Sequence, residues 1–280
     1  MSVGVVSTST FRKRHAFKTA KRAIRKIVLL GVGLFFIPGL FGFFLCCGLV
    51  DVLRNKGRTF STLDRYFAGN GVFTWLLSPF NLLMDLLSLP YWNKGIYTIT
   101  DLPQGYQDEI RSIIDAAHKS DLVGKLETKI DGQTRGMIFF KWYGKNIQTS
   151  LDIPDFHHEY QYIRTIGVSV FNKHQSTGRH FGPLRVTLRA LYSINAIAEK
   201  SVYIKVGNHT NYWQENALFI FDDTLQHQSC NESETVRYCM FVDILRPSPF
   251  PRLMSAILSC VRLVIAPFNS IFYHHWTFIR

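Results

Sequence analysis

The 280-residue chain has few cysteines, and none of them form a spaced pair. The five are Cys46, Cys47, Cys230, Cys239 and Cys260, and no C-x-x-C sequence occurs. This usage argues against a disulfide framework and a structural zinc site, and it is typical of a reducing compartment. The G-x-G-x-x-G, Walker and G-x-S-x-G sequences are also missing, which removes the common nucleotide-binding and esterase functions.

Acidic residues are missing from both ends of the chain. Residues 1–26 contain eight Lys or Arg and residues 246–280 contain four Arg, so the net charge of +12 comes from the ends. Basic residues beside apolar segments are attracted to an anionic membrane surface. A nucleic-acid-binding protein would instead carry a basic face on its folded domain. We therefore expect an anionic membrane surface as a partner, and no nucleic acid.

Long apolar stretches follow the basic start and fill the end of the chain. The uncharged run 27–50 is long enough to cross a bilayer, although Pro38-Gly39 at its middle also allows a re-entrant hairpin. The stretch Gly71–Tyr91 contains Asp85, which favours an interfacial amphipathic helix over a second span. The predicted organisation is a basic cytoplasmic tail (1–26), a transmembrane or re-entrant segment (27–50), a membrane-proximal amphipathic region (51–100), a catalytic domain (101–247) and a membrane-associated C-terminal tail (248–280).

The pattern changes near residue 101 to one helix and then many short strands. Helical periodicity runs from Glu109 to Leu126. Six β-type runs follow, separated by turn residues: Met137–Tyr143, Ile166–Phe171, Leu184–Leu191, Val202–Val206, Ala217–Phe221 and Val236–Leu245. This spacing indicates a mainly β domain, a sandwich or a barrel, and we expect a jelly roll with flanking helices.

Two histidines stand next to predicted strands. His180 opens the sequence H-F-G-P directly before one strand, and His227 ends F-I-F-D-D-T-L-Q-H after another. A jelly roll would bring these strand ends together, so two imidazoles 47 residues apart could bind one metal. Imidazole suits Fe(II), and a two-residue site leaves coordination positions open for oxygen chemistry. Taken singly, each histidine could equally be a satisfied or solvent-facing side chain.

Two arginines lie on predicted strands near these histidines. A buried guanidinium is costly unless a carboxylate pairs with it, and its planar fork grips a carboxylate with two hydrogen bonds. Arg189 and Arg237 are therefore candidate anion-binding residues, with Ser169 as a possible hydroxyl donor to the same anion. Outward-pointing, solvated arginines remain the alternative, and Arg185 is expected to face water.

The run 165–247 resembles the aspartyl/asparaginyl β-hydroxylase family of iron- and 2-oxoglutarate-dependent oxygenases. The matching sequences are G-R-H-F-G-P with L-R (178–189), Y-W-Q-E-N-A-L-F-I-F-D-D-T-L-Q-H (212–227), N-E-S-E-T-V-R (231–237) and F-V-D-I-L-R-P (241–247). Upstream, F-F-K-W-Y-G, S-P-F-N-L-L-M and the apolar N-terminus resemble the membrane-bound branch that includes bacterial lipid A hydroxylase.

The resemblance implies a role for each matching position. His180 and His227 would be the iron ligands, and Arg237 would pair with the distal carboxylate of 2-oxoglutarate. Ser169 and Arg189 would help to hold this cosubstrate. Gly182 fits family members that lack the usual metal-binding carboxylate, in which water completes the iron sphere. Asp222 and Asp223 are expected to support the ligands or form the turn.

One position departs from the family pattern. Where relatives tend to carry a histidine two residues after the arginine, this chain has Leu191. The departure removes an expected cosubstrate contact and leaves the metal pair intact.

The expected function is Fe(II)- and 2-oxoglutarate-dependent hydroxylation, with O2, of a membrane lipid acyl chain such as that of lipid A or an ornithine-type lipid. Two alternatives remain: a hydroxylase of Asp or Asn in a protein or peptide, and a non-catalytic membrane-anchored jelly roll. Because Fe(II) and 2-oxoglutarate are supplied in the cytosol, we expect the inner (cytoplasmic) membrane, with the domain facing the cytoplasm. The oligomeric state is left open.

Overall fold

The computed structural model describes residues 23–24, 27–28, 31, 35, 38–57, 59–128, 135–266 and 277–278. Seven α-helices have their bounds in this part of the chain. They are α1 (Pro38–Val52), α2 (Phe60–Ala68), α3 (Val72–Leu76), α4 (Ser78–Leu87), α5 (Gln104–Lys119), α6 (Leu122–Glu127) and α7 (Pro251–Ile265). Short 3-10 helices occupy Ile99–Asp101 and Pro154–His157.

Twelve strands are present in the described residues. They are β1 (Ile96–Tyr97), β2 (Arg135–Trp142), β3 (Lys145–Asn146), β4 (Ile163–Phe171), β5 (Gln175–Ser176), β6 (Thr187–Ser193), β7 (Val202–Val206), β8 (His209–Tyr212), β9 (Leu218–Phe221), β10 (His227–Asn231), β11 (Arg237–Leu245) and β12 (Thr277–Phe278).

The strands form two sheets with jelly-roll topology. The larger sheet has the order β1-β9-β6-β11-β4-β2-β12, with β3 beside β2, and the smaller sheet has the order β5-β10-β7-β8. Apart from the parallel pair β12 and β2, the neighbouring strands are antiparallel. Of the eight strands from β4 to β11, four lie side by side in the larger sheet in the order β4-β11-β6-β9. The other four form the smaller sheet in the order β5-β10-β7-β8. The prediction of a mainly β jelly roll with flanking helices is confirmed for the described residues.

The larger sheet buries both of its faces. One face packs against α5, whose Tyr106, Ile110, Ile113 and Ala117 recur at helical spacing and are buried with strand residues such as Val168. The other face meets the smaller sheet in a second cluster that includes Phe139, Leu191 and Phe241 from the larger sheet and Val202, Ile204 and Val206 from the smaller one. The space between the sheets is therefore lined by alternate residues of each strand.

The single helix predicted for 109–126 is two helices, α5 and α6. Asp121 has a φ of 47°, in the left-handed region, and this residue separates them. The predicted strand Leu184–Leu191 also begins later than expected, at Thr187. Leu184 and Val186 instead pack into a cluster with Met84 of α4 and Met254 of α7.

Helices α1 to α4 are attached to the barrel by a buried group of ion pairs centred on Arg185. Its guanidinium binds Asp51 of α1, Asp85 of α4 at 2.7 Å and Asp222 at 3.2 Å. The side chain is 1% exposed, so the expectation that Arg185 faces water was wrong. A strand-edge arginine becomes buried here because three carboxylates from distant segments compensate its charge.

The same group explains Asp85, the carboxylate that interrupts a predicted apolar helix. Asp85 also binds Arg246, while Leu83 and Leu86 of the same helix remain exposed. Helix α4 is thus amphipathic, with a polar side toward the barrel. In the part of the chain that is described, none of the helices combines the length and apolar character that crossing a bilayer requires. Seven residues of the predicted segment 27–50, and all of residues 1–22, lie outside the described residues.

Candidate active site

His180 and His227 meet at one end of the smaller sheet. Each backbone N–H donates to the carbonyl of the other residue, and both N···O distances are 2.9 Å. Their ring centroids are 4.1 Å apart. The structure therefore brings together the two histidines that the sequence singled out.

Backbone carbonyls fix the orientation of both rings. Nδ1 of His180 lies 2.8 Å from the carbonyl oxygen of Gly178, and Nδ1 of His227 lies 2.8 Å from that of Leu225. A ring that donates from Nδ1 leaves Nε2 with a free lone pair, which is how histidine binds metals. Burial lowers the pKa of His180, and burial together with the neighbouring His180 lowers the pKa of His227 well below its usual value. Both rings are thus held neutral, the form that binds a metal.

A carboxylate lies next to this pair. Oδ1 of Asp223 is 3.4 Å from Nε2 of His227, and Asp223 also binds Nη1 of Arg189 at 2.9 Å. With His227 neutral, a lone pair on nitrogen faces an anionic oxygen, an arrangement that a cation between or beside them would stabilise. In the described residues, no group of three or more His, Cys, Asp or Glu side chains is placed to hold a metal, so the site is a histidine pair with an adjacent carboxylate.

Arg189 is held by acidic residues of the barrel. Besides Asp223, its Nε donates to Asp243 on the adjacent strand β11 at 2.9 Å. Arg189 thereby links Asp243 to the carboxylate beside His227. Asp243 did not emerge from the sequence, and its signal there was slight: it is a lone acid inside a strongly apolar strand.

Arg237 is buried in a different environment. It is 1% exposed, its Nη1 donates to Ser229 at 2.9 Å, and its guanidinium carbon lies 4.5 Å from the Phe171 ring and 5.2 Å from the Trp213 ring. Burial lowers the pKa of Arg237. None of the ion pairs among described residues involves Arg237, which leaves a buried cation without a carboxylate.

Two buried donors beside each other have no acceptor in the described part of the molecule. These are Nε of Arg237 and Nε1 of Trp213. Buried N–H groups are rarely left unpaired, so such atoms point to an acceptor that binds there. The sequence did not identify Trp213, because an aromatic residue after a strand is most often part of the core.

Strand alternation places these groups on the inner side of the barrel. His227 and Ser229 are two residues apart on β10 and share one face, and Ser229 holds Arg237. Ser169 and Phe171 share the inner face of β4; the Ser169 hydroxyl donates to the Cys239 carbonyl at 3.2 Å. Leu191 is buried in the same cluster as Trp213. The histidine pair, Arg237 and Ser169 therefore all border the space between the sheets.

A histidine pair at one end of a jelly roll, with a buried arginine inside, provides two imidazole donors beside a site for an anion. Residues 138–247 match the family model described as Aspartyl/Asparaginyl beta-hydroxylase. This match agrees with the resemblance that the sequence indicated for residues 165–247.

Curated relatives match over shorter stretches. The chain is 31% identical over 90 residues to an ornithine lipid ester-linked acyl 2-hydroxylase from Rhizobium tropici, which covers 32% of each protein. It is 29% identical over 73 residues to the human aspartyl/asparaginyl beta-hydroxylase, covering 26% of this chain and 10% of that protein. The matched region thus spans a third or less of these relatives.

Among solved structures, the salicylate 1,2-dioxygenase from Pseudaminobacter salicylatoxidans aligns with 52% of this chain and 35% of its own, at 10% identity and a TM-score of 0.28. A score this low adds nothing to the topology described above.

Proposed function

We propose that this protein is an Fe(II)- and 2-oxoglutarate-dependent hydroxylase that acts on the acyl chain of a membrane lipid. One observation carries the metal assignment: Nε2 of a neutral, buried His227 faces the Asp223 carboxylate at 3.4 Å, beside the second oriented imidazole of His180.

The donor set fits ferrous iron. The two imidazoles would hold the ion through Nε2, and the carbonyls of Gly178 and Leu225 hold the rings in place. A water molecule would take the place of a third protein ligand to the iron, and Asp223 would accept a hydrogen bond from this water. Gly182 leaves room for this carboxylate.

The interior of the barrel fits a dicarboxylate cosubstrate. Arg237 and Trp213 present unpaired N–H donors, and the aromatic rings around them exclude water, which strengthens a charged hydrogen bond. Arg189 already binds two carboxylates and would act mainly by holding Asp223. When bound, iron, 2-oxoglutarate and O2 supply the oxidising power for oxygen insertion into an unactivated C–H bond. The protein binds, orients and shields these groups.

A lipid substrate is supported by the apolar surface of the helices. Helices α4 and α7 share one buried cluster, and each exposes further leucines, among them Leu86 (63%) and Leu263 (71%). Exposed apolar area of this kind marks a membrane or protein contact, and the basic ends of the chain favour an anionic membrane. We infer attachment to the inner (cytoplasmic) membrane with the barrel on the cytosolic side; the five free cysteines agree with that compartment.

Iron content and lipid analysis test the proposal. The purified full chain should bind about one ferrous ion, and His180→Ala and His227→Ala should each lose it. His174→Ala, which changes an exposed histidine paired with Glu234, should retain it. Cells with the active protein should contain a lipid heavier by one oxygen atom that cells with His227→Ala lack. Equal iron in all four proteins would refute the metal site; an oxidised peptide in place of a lipid would favour the Asp/Asn hydroxylase alternative.

A further inference from the structure

A pocket rich in basic residues lies at the same end of the barrel as the histidine pair. It encloses about 320 Å³. One wall is formed by the segment between α1 and α2, and the other by the end of β7, the following turn and the start of β10. Its lining includes Lys56, Arg179, Lys205, Gln226, His227 and Gln228.

The charge of this lining is entirely positive. Lys56, Arg179 and Lys205 contribute three cations, and no Asp or Glu belongs to the described lining. The remaining polar groups are amides and hydroxyls, which donate hydrogen bonds to anions. Such a lining suits a phosphate or carboxylate group.

A buried donor inside the pocket also lacks an acceptor. Gln226 is 9% exposed, and its Oε1 accepts a hydrogen bond from the Thr62 hydroxyl at 3.3 Å. In this orientation of the amide, Nε2 finds no acceptor among the described residues. The backbone of Gln226 is fixed as well, since its N–H donates to Asn55 at 2.8 Å. Gln226 is thus a rigidly held, unpaired donor.

The two walls are built to approach closely. Gly57 (φ +72°) and Gly207 (φ +58°) adopt left-handed conformations that other residues rarely adopt, and a Cβ on Gly207 would lie 2.9 Å from the Lys56 carbonyl oxygen. These contacts hold the Lys56 backbone against the turn that follows β7.

The position of the pocket relative to the metal pair indicates the shape of its ligand. On the paired strands β7 and β10, Lys205 lies opposite Gln228, while Val206 lies opposite His227. Successive residues face opposite sides of a sheet, so Lys205 and Gln228 lie outside the barrel when Val206 and His227 line the inside. The pocket therefore crosses the sheet edge: Lys205 and Gln228 line its outer part, and His227, which also belongs to the lining, lies toward the inside.

This separation favours a long substrate. In an aspartate side chain, the carboxylate is bonded directly to the carbon that would be hydroxylated, so both would lie at the same point of the pocket. An anionic lipid places a flexible chain between its headgroup and the reacting carbon. Exposed Leu53 (55%) and Phe60 (82%) flank the wall segment and would contact the apolar part of such a ligand.

We infer that this pocket binds the anionic headgroup of the lipid substrate, a phosphate or carboxylate group, while the acyl chain passes over the sheet edge to the histidine pair. The binding of the headgroup stands on the pocket alone; the passage of the chain to a metal rests on the proposed function.

Lipid binding by iron-free protein tests the inference without involving catalysis. The full chain in neutral detergent with a chelator is titrated with dihexanoyl phosphatidic acid, dihexanoyl phosphatidylcholine, inorganic phosphate and a hexaglutamate peptide. Phosphatidic acid should bind most tightly. Lys56→Gln and Lys205→Gln should each weaken it about fivefold, the effect of one cation near an anionic headgroup. Lys145→Gln, which removes an exposed lysine of β3 away from the pocket, should bind as the unaltered protein does.

Other outcomes overturn the inference. Equal affinity in the Lys56, Lys205 and Lys145 variants would show that the pocket is not the binding site. Free phosphate binding as tightly as phosphatidic acid would make it a site for a soluble anion, and tighter binding of the peptide would make it a peptide site. Loss of iron binding or of hydroxylation in separate experiments would refute the proposed function and leave these affinities unchanged.

Discussion

The carboxylate of Asp223 occupies the space into which a side chain at position 182 would project. A Cβ built on Gly182 would lie 2.0 Å from Oδ2 of Asp223, and the Gly182 N–H donates to the Asp223 carbonyl at 2.8 Å. In sequence, Gly182 looked like the place where a metal-binding carboxylate is missing. In three dimensions a carboxylate from another segment lies there, 3.4 Å from Nε2 of His227.

Gly182→Ala should therefore disturb the metal site. The added methyl group displaces Asp223, and we expect about 10- to 100-fold weaker iron binding, the usual effect of altering a group next to a metal ligand. The measurement is iron affinity by competition with a chelator. Gly178→Ala is the matched control, because a Cβ there meets nothing within 4 Å and the carbonyl that orients His180 remains. Equal affinity in both variants would exclude a role for the Gly182–Asp223 contact.

Replacing Arg237 should weaken 2-oxoglutarate binding without lowering the stability of the fold. Arg237→Met removes a buried cation that no described carboxylate compensates, so the melting temperature of the iron-free protein should stay the same or rise. Binding of 2-oxoglutarate, followed by calorimetry on iron-loaded protein, should fall at least about 100-fold, the value of a charged hydrogen-bonded pair. A strongly destabilised variant would mean that Arg237 is structural.

Trp213→Phe should weaken 2-oxoglutarate binding while iron affinity is unchanged. The substitution keeps the aromatic surface next to Arg237 and removes only the N–H that lacks an acceptor. Loss of one hydrogen bond to a charged group corresponds to about 10-fold weaker binding. Trp142→Phe, in the same inter-sheet cluster, serves as the control. If the two variants bind the cosubstrate equally well, the indole N–H is not a cosubstrate contact.

The group of ion pairs around Arg185 should make stability depend on pH in the acidic range. Burial opposes ionisation of Asp222, but Arg54, Arg185 and the Thr224 hydroxyl together hold its pKa well below the usual range. Because the folded-state pKa is lower than the unfolded one, about 3.9, this stabilisation is present above that value and lost as the pH falls toward the folded-state pKa.

Asp222→Asn should accordingly cost about 3 kcal/mol at pH 7, with a difference from the unaltered protein that shrinks below about pH 4. Thermal unfolding followed from about pH 3 to about pH 7 measures both effects, because this range extends to either side of the unfolded-state pKa of about 3.9. Asp152→Asn changes an exposed carboxylate and should remain within about 0.5 kcal/mol throughout. A constant difference at every pH would rule out the ionised carboxylate as the source of stability.

Membrane attachment should depend on the exposed leucines of α4 and α7. Leu86→Asp and Leu263→Asp should each reduce binding to anionic vesicles about 10-fold, since burying one leucine contributes about 1.5 kcal/mol or more. Co-sedimentation measures the bound fraction. Gln148→Asp adds the same charge at an exposed loop position and should bind normally. Equal losses in all three would attribute the effect to charge instead of to the apolar face.

Most of the long strands and the two histidines of the site could be predicted from the amino-acid sequence. Runs rich in Val, Ile and Phe predicted β2, β4, β7, β9 and β11 to within a few residues, because those strands alternate apolar side chains toward two cores. His180 and His227 were identifiable since each lies beside such a run. Strand β10 was missed: His227, Ser229 and Asn231 make its inner face polar, so it has none of the apolar alternation by which strands are recognised.

The arrangement of the buried charges could not be predicted from the sequence, because it depends on the tertiary fold. Arg185, Arg189 and Arg237 look alike in sequence, yet Arg185 binds three carboxylates, Arg189 binds two and Arg237 binds none among the described residues. Their partners lie between 34 and 134 positions away along the chain. Local periodicity reports whether a residue faces a core, but the charge that it meets there depends on which distant segments the fold brings together.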